Sequence, residues 1–406
     1  MRSAADAAAP TGSLSSKRAR TETQGTGPLA QSTYNNLDSD LRFTSRRSPV
    51  LATRGMVSCS HPLAAEAGLS VLKAGGNAVD AAIAIAAALA VVEPASTGLG
   101  GDCFLLFYEA GEKRVHAMNG SGRSPAALTI ERLRGDCPDL SPPTKMPPGH
   151  AHTVTVPGTA AGWCDALERW GTMELQAVLA AAIRLAEEGF PVSPVIAYHW
   201  RQEQRKLEQN DADGRAALMV ADVDAPGGLR TPRVGEIFRN PAMARTLREL
   251  AVGGKDAFYK GRAAQAIVAL LASRGSVMSM ADLARHADEG SDFCRPPVSV
   301  RYAGMDVYEH GPNSAGLAAL LGLRLLDGLQ PPLASLEHNS LPYLHRLIEA
   351  MRLAFADARW YVADPAISQP PLESLLSEEY NAERRQRIDP NRATADVAKG
   401  CPCVGR

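Results

Sequence analysis

The chain has 406 residues, 45% hydrophobic and 21% charged, with a formal net charge of −1. That is the composition of a core-forming globular protein, and it gives no global pull toward nucleic acid or an anionic membrane. Seven cysteines, an odd count spread along the chain, exclude a simple disulfide framework and suggest a reducing compartment.

Residues 1–40 are rich in Ala, Ser, Thr, Gly and Gln and poor in bulky apolar groups. They cannot bury enough surface to offset the entropy of ordering, so a disordered N-terminal segment is expected there, with folded chain from about Arg47. The first twenty residues lack the apolar segment of a secretory signal, which adds to a cytoplasmic expectation. A helix is expected from His61 to Ala74, with Leu63, Ala67, Leu69 and Leu72 inward. Gly75-Gly76 stops it, and Asn77 caps a second helix, Ala78 to Val92. The apolar run Ala81 to Val92 is twelve residues, short of the ~20 a membrane span needs. It reads as a buried central helix. Phe104–Tyr108 and Arg114–Met118 read as strands joined by a turn containing Gly111. A Pro-rich loop follows, then a short strand, Thr153–Val156, stopped by Pro157-Gly158. Helices are expected at Ala161–Trp170 and Leu175–Glu188, and a polar surface excursion at 208–235. Val298–Tyr302 and Met305–Tyr308 flank Ala303-Gly304 as a hairpin. In the last strong helix, Leu344, Leu347, Ile348, Met351, Phe355 and Ala358 recur at helical spacing, which predicts that they face inward with Arg346, Glu349 and Arg352 mostly outward. Pro342 suits its first turn.

Several motifs carry chemistry. Gly98-Leu99-Gly100-Gly101 follows a helix and precedes a strand, the reverse of a phosphate-binding loop, so no nucleotide cofactor is expected. In Asn119-Gly120-Ser121-Gly122-Arg123-Ser124-Pro125 the glycines let the backbone bend and leave the guanidinium uncrowded. Such a planar, permanent cation suits a carboxylate; a surface salt bridge is the alternative on the residues alone. His150-Ala151-His152 lacks a third ligand, and with Asp136 and Asp139 it makes no convincing metal site. Cys401 and Cys403 fall in what reads as an exposed, disordered tail. No metal is expected.

Taken in order, Ala74–Ala82, Ser96–Asp102 and Asn119–Pro125 resemble the front half of the γ-glutamyltransferase (glutathione hydrolase) family. Thr155-Val156-Pro157-Gly158, Ala186–Phe190, Phe258-Tyr259-Lys260-Gly261, Asp282-Leu283-Ala284 and His345–Asp357 continue the resemblance, which covers 47–394 and leaves 395–406 as a divergent tail. The Asn-Gly-Ser-Gly-Arg form leans toward the soluble glutathione hydrolase-like branch. The resemblance implies an α+β protein: the large-subunit part of the four-layer α/β/β/α sandwich of N-terminal nucleophile hydrolases, incomplete without the small subunit. It implies a small-molecule γ-glutamyl substrate of the glutathione kind, whose α-carboxylate falls to Arg123. It also implies a small subunit, in cis or in trans, that supplies the catalytic threonine. That hydroxyl attacks the γ-amide, and water or an amino acid resolves the acyl-enzyme. No catalytic nucleophile is expected within this chain. Thr394, Cys401 and Cys403 are each followed by too few residues to form a strand of the sheet, and Ser121 has no His/Asp partners. Two other readings are a non-catalytic paralogue that binds γ-glutamyl ligands or a partner subunit, and a related acylase of a non-glutamyl amide.

Overall fold

The computed structural model describes residues 48–138, 146–147, 149–209, 212–293 and 296–402. The expected N-terminal segment at 1–40, Asp139, Cys294 and Cys403 lie outside them.

Helix α1 (Pro62–Lys73) is capped by the His61 ring. It buries Ala64, Ala67, Gly68 and Val71, while Leu63, Leu69 and Leu72 are only partly covered. The reason is spacing. A Cβ added at Gly68 would lie 2.6 Å from Ile85, so the next helix approaches closer than leucines allow. Gly75, at φ +97°, turns the chain. Helix α2 (Ala78–Val92) then begins with the capping box of Asn77 and Asp80. Asp80 is fully buried and also accepts from Thr172, 3.0 Å from its N–H and 2.6 Å from its hydroxyl.

Strands β1 (Cys103–Glu109) and β2 (Arg114–Gly120) form an antiparallel hairpin with Cys103 opposite Gly120. A short helix, α3 (Ile130–Asp136), follows; it buries no residue and so carries no apolar stripe to read. In place of the strand expected at Thr153–Val156 there is a 3-10 turn, Ala151–Thr153, and an unpaired run. Alternating Thr and Val mark an extended chain, but no neighbouring strand lies alongside it. Helices α4 (Thr159–Trp170) and α5 (Leu175–Glu188) form as expected. Next come β3 (Phe190–Pro191), α6 (Pro194–Glu208), α7 (Ala212–Leu218), β4 (Val220–Ala221), β5 (Leu229–Arg230) and β6 (Ile237–Phe238). β3 pairs with β6 and β4 with β5. Helices α8 (Pro241–Tyr259), α9 (Arg262–Ser273) and α10 (Met280–Glu289) complete the main core around Trp163, Trp200, Tyr259 and Phe190.

The hairpin β7 (Val298–Tyr302) and β8 (Met305–Glu309) turns through Ala303 and Gly304, at φ 49° and 82°. Helices α11 (Gly316–Asp327), α12 (Leu341–Tyr361), α13 (Leu372–Leu376) and α14 (Glu378–Arg385) build a second core around Leu321, Leu325, Ala350 and Leu353. Helices and strands together make the expected α+β class, and among the described residues the strands form four two-stranded sheets. No helix among them is long and apolar enough to cross a membrane.

Helix α12 reverses part of the expectation: Ala358 is buried and Leu347 and Met351 are partly covered, as the spacing predicts, but other positions swap. Arg346, Glu349 and Asp357 are buried, while Leu344, Ile348 and Phe355 are exposed. The inward charges are satisfied. Arg346 donates to the Pro331 carbonyl, and Glu349 accepts from Arg352 at 2.6 Å and from the Thr394 amide at 3.1 Å. Asp357 accepts from Arg384 at 3.0 Å and from the Gly400 amide at 2.7 Å. Thr394, and Gly400 in the segment 395–406 read as a divergent tail, are thereby held against α12.

Candidate carboxylate-binding site

Three loops cross beside the β1–β2 hairpin: 96–102 before β1, 119–125 after β2, and 155–158 before α4. Their contacts are backbone to backbone. Gly158 and Thr159 both donate to the Gly101 carbonyl at 2.9 Å, and Val156 donates to the Arg123 carbonyl at 2.9 Å. The Asp102 carboxylate accepts from the Gly122 amide at 3.0 Å. Only glycine fits where they cross: a Cβ on Gly122 would fall 1.4 Å from the Val156 oxygen, and one on Gly158 1.8 Å from the Gly120 oxygen. Tyr259, at the end of α8, fastens the third loop. Its buried hydroxyl donates to the Pro157 carbonyl at 2.6 Å and accepts from the Ala161 amide at 3.0 Å. Burial holds that hydroxyl well above the ordinary tyrosine range.

This crossing sets the guanidinium of Arg123 at a pocket of about 340 Å³ that Asn119, Ser121, Asp292 and Asn313 also line. The Arg123 side chain is 49% exposed, with Nη1 2.9 Å from Glu289 Oε2. Glu289 closes α10 and is gripped by Arg285 at 2.6 Å. The Arg285 hydrogen bond, with the Arg123 charge behind it, holds the Glu289 carboxyl below the usual carboxylate range. Across the pocket, Asn119 donates to Asn313 Oδ1 at 2.7 Å and Asn313 donates to Ser121 Oγ at 2.9 Å. On α10 itself, His286 is buried and neither ring nitrogen finds a hydrogen bond. Burial first, and the Arg123 charge second, lower its pKa, so the ring is neutral near pH 7.

The arrangement offers a carboxylate one permanent cation, half-exposed, beside the neutral Asn119, Ser121 and Asn313, in a pocket that Asp292 and Asp364 also line. Arg123 lines this pocket, and the salt bridge that was the alternative reading is present in the same side chain through Glu289. Among the described residues, the hydroxyl beside Arg123 and the thiols near the crossing are not activated. Ser121 is bonded to an amide, and burial pushes Cys103 up to about 11 and Cys164 up to about 12, far from thiolate at neutral pH. Glu289, Asp292 and Asn313 were missed. Gly311-Pro312-Asn313 has a loop composition that marks a turn, but no local pattern says which loop it faces.

Two further polar clusters lie outside this pocket. His152 is buried against Asp136 at 2.9 Å, while Cys137 Sγ lies 3.5 Å from His150 Nε2. On the β1–β2 hairpin, Glu109, Glu112 and His116 bring their ligand atoms within 4.8 Å of one another. There Glu109 already bonds His116 at 3.0 Å, and the ring stacks on Phe107.

The gamma-glutamyltranspeptidase family model matches residues 64–402. The chain belongs to the gamma-glutamyltranspeptidase family. Among curated relatives, the glutathione hydrolase-like YwrD proenzyme of Bacillus subtilis is 37% identical over 339 residues, covering 84% of this chain and 61% of the relative. Among solved structures, the Helicobacter pylori gamma-glutamyltranspeptidase matches with a TM-score of 0.77 at 27% identity, over 88% of this chain and 99% of that one. A cephalosporin acylase from Bacillus halodurans matches with a TM-score of 0.74 at 37% identity, over 89% of this chain and 65% of that one. The gamma-glutamyltranspeptidase-like chain thus spans about three fifths of the YwrD relative's length.

Proposed function

We propose that this chain is the large-subunit part of a γ-glutamyl hydrolase or transferase, and that Arg123 grips the substrate α-carboxylate. The nucleophilic threonine comes from a second segment, in cis or in trans. The observation that carries this reading is the crossing at Gly122 and Gly158, where backbone packing without room for a Cβ brings Arg123 half-open to a polar pocket. A carboxylate arriving there meets the half-exposed guanidinium on the side away from Glu289. Glu289 holds the fork in place from the other side. Open sheet edges and the exposed face of Phe104, Leu106 and Tyr108 on β1 support incompleteness without that segment.

The test is Arg123→Ala in the enzyme reconstituted with a small-subunit segment. Losing one partner of a charge pair with substrate costs roughly 2–5 kcal/mol, so kcat/KM for a γ-glutamyl anilide should fall about 30-fold or more. Arg123→Lys should recover only part of it. Wild-type kinetics in Arg123→Ala would reduce Arg123 to a surface ion pair. The 37% identity to a cephalosporin acylase favours a second reading, an acylase of a non-glutamyl amide. A pentanoyl anilide has the same acyl length with no carboxylate at its far end, so preference for it over the γ-glutamyl compound, with no effect of Arg123→Ala, would select the acylase.

A further inference from the structure

The end of the polar 208–235 excursion folds back on α6 and closes a pocket of about 390 Å³, a volume in the range of small-molecule sites. One wall is a single face of α6, where Pro194, Ala197, Tyr198, Arg201 and Gln204 recur at helical spacing. The other is the run 230–234 that leaves β5. Thr231 is buried and ties the two walls together, donating to Gln204 Oε1 at 3.1 Å. Three guanidinium groups, those of Arg201, Arg230 and Arg233, line the pocket, and no carboxylate does. Arg230 is committed to structure. Its Nε donates to Asp222 at 2.5 Å, and its two Nη atoms donate to Glu236 at 2.8 and 2.7 Å. These hydrogen bonds hold the Asp222 and Glu236 carboxyls below the usual carboxylate range, so both are charged at neutral pH.

The other two guanidiniums are open, one on each wall. Arg233 shares Asp222 at 3.3 Å and its side chain is 69% exposed. Arg201 is exposed and, among the described residues, pairs with no carboxylate. Three cations against two carboxylates leave one positive charge in excess, and like charges sharing a pocket repel. An oxyanion between Arg201 and Arg233 offsets that repulsion. A carboxylate has two oxygens, a match for one guanidinium fork; a phosphate has enough oxygens for two forks at once. Beside these donors stand the Tyr198 ring, 52% exposed, and the exposed Val234, an apolar surface against which a flat organic body can lie. We propose that this pocket binds a small phosphate monoester, its phosphate between Arg201 and Arg233 and its organic body on Tyr198. The pocket shares no lining residue with that of Arg123, so the proposal does not depend on the γ-glutamyl reading.

The experiment titrates phenyl phosphate into the 406-residue chain, reconstituted as above or alone where it stays soluble, and reads Kd by ligand-observed NMR. Arg201→Gln and Arg233→Gln should each raise Kd about tenfold or more, the effect of losing a hydrogen bond between charged groups. Both side chains are exposed, so the melt should not move. Arg201→Lys should recover part of the loss. Tyr198→Ala should weaken phenyl phosphate and leave the weaker binding of inorganic phosphate as it was, which separates the organic body from the anion. No binding of phenyl phosphate at millimolar concentration, or a wild-type Kd in both arginine variants, would overturn the proposal. Binding lost in Arg123→Ala and kept in Arg201→Gln would place the anion in the other pocket and overturn it too. Benzoate binding more tightly than phenyl phosphate would overturn the choice of a phosphate, and inorganic phosphate binding as tightly, with no effect of Tyr198→Ala, would overturn the organic body.

Discussion

Tyr259 shows how much of the site depends on single contacts. Its hydroxyl is the fastening of the Pro157–Gly158 loop, and that loop lies directly on Gly120 and Gly122. Tyr259→Phe leaves a buried carbonyl and a buried amide without that partner, at a cost of about 1–3 kcal/mol. Urea unfolding should show the loss, and proteolysis near residues 120–124 should quicken. His286 gives a pH signature. Its folded pKa is depressed, so as pH falls below the unfolded value the unfolded chain takes up a proton that the native chain refuses. Stability is full above about pH 6.5. It should fall from there toward the lower folded pKa, by at most about 1.4 kcal/mol per pH unit for this one group. Thermal melts between pH 8 and 5.5 measure it. In His286→Phe that part of the slope should vanish; an unchanged slope would assign it to other groups.

At the scale of elements, α2 and α12 are opposite lessons. Helix α2 was legible to the residue, because an apolar stretch begins at a capping box and both signals are local. Asp80 does two jobs there, closing the cap and receiving the Thr172 amide and hydroxyl. Asp80→Ala should cost about 2–4 kcal/mol from the lost cap and orphaned donors together, read as a drop in the denaturation midpoint at constant m. Asp80→Asn should lose less, since one oxygen remains as acceptor. Helix α12 was legible as a helix but not by face. Its periodicity contains two candidate stripes, Leu344/Ile348/Phe355 and Ala350/Leu353/Ala354, and the second is buried although charges accompany it. Hydrophobicity alone favours the first stripe. The partners that make the second one inward, Pro331, Arg384, Thr394 and Gly400, lie outside the helix. The Arg123 loop was legible through its glycines, whereas Glu289 and Asn313 reach it from distant chain and left no local mark.

For the whole molecule, the expected behaviour is dependence on a second segment. Sheets of two strands have both edges open, and such hairpins are marginal alone. The exposed faces of β1 and α12 add apolar surface to the same account. The 406-residue chain alone should neither self-cleave nor release chromophore from a γ-glutamyl anilide, and should aggregate at micromolar concentration unless the second segment is supplied. Chromophore release abolished by a substitution within this chain would place the nucleophile here. A sharp, cooperative melt of a monomer would show that the chain completes its own core.

The sequence by itself determined α1, α2, α4, α5 and α12 as helices, the two long hairpins and the family, because each rests on periodicity, caps, glycines or motifs read within a few residues. Tertiary structure alone decided which face of α12 is buried, that Arg123 is held by Glu289, and that Gly122 and Gly158 are required by a crossing of loops. The physical reason is common to all three. A buried charge or a backbone contact without room for a Cβ is set by the atom on the other side, and that atom belongs to chain far away in the sequence.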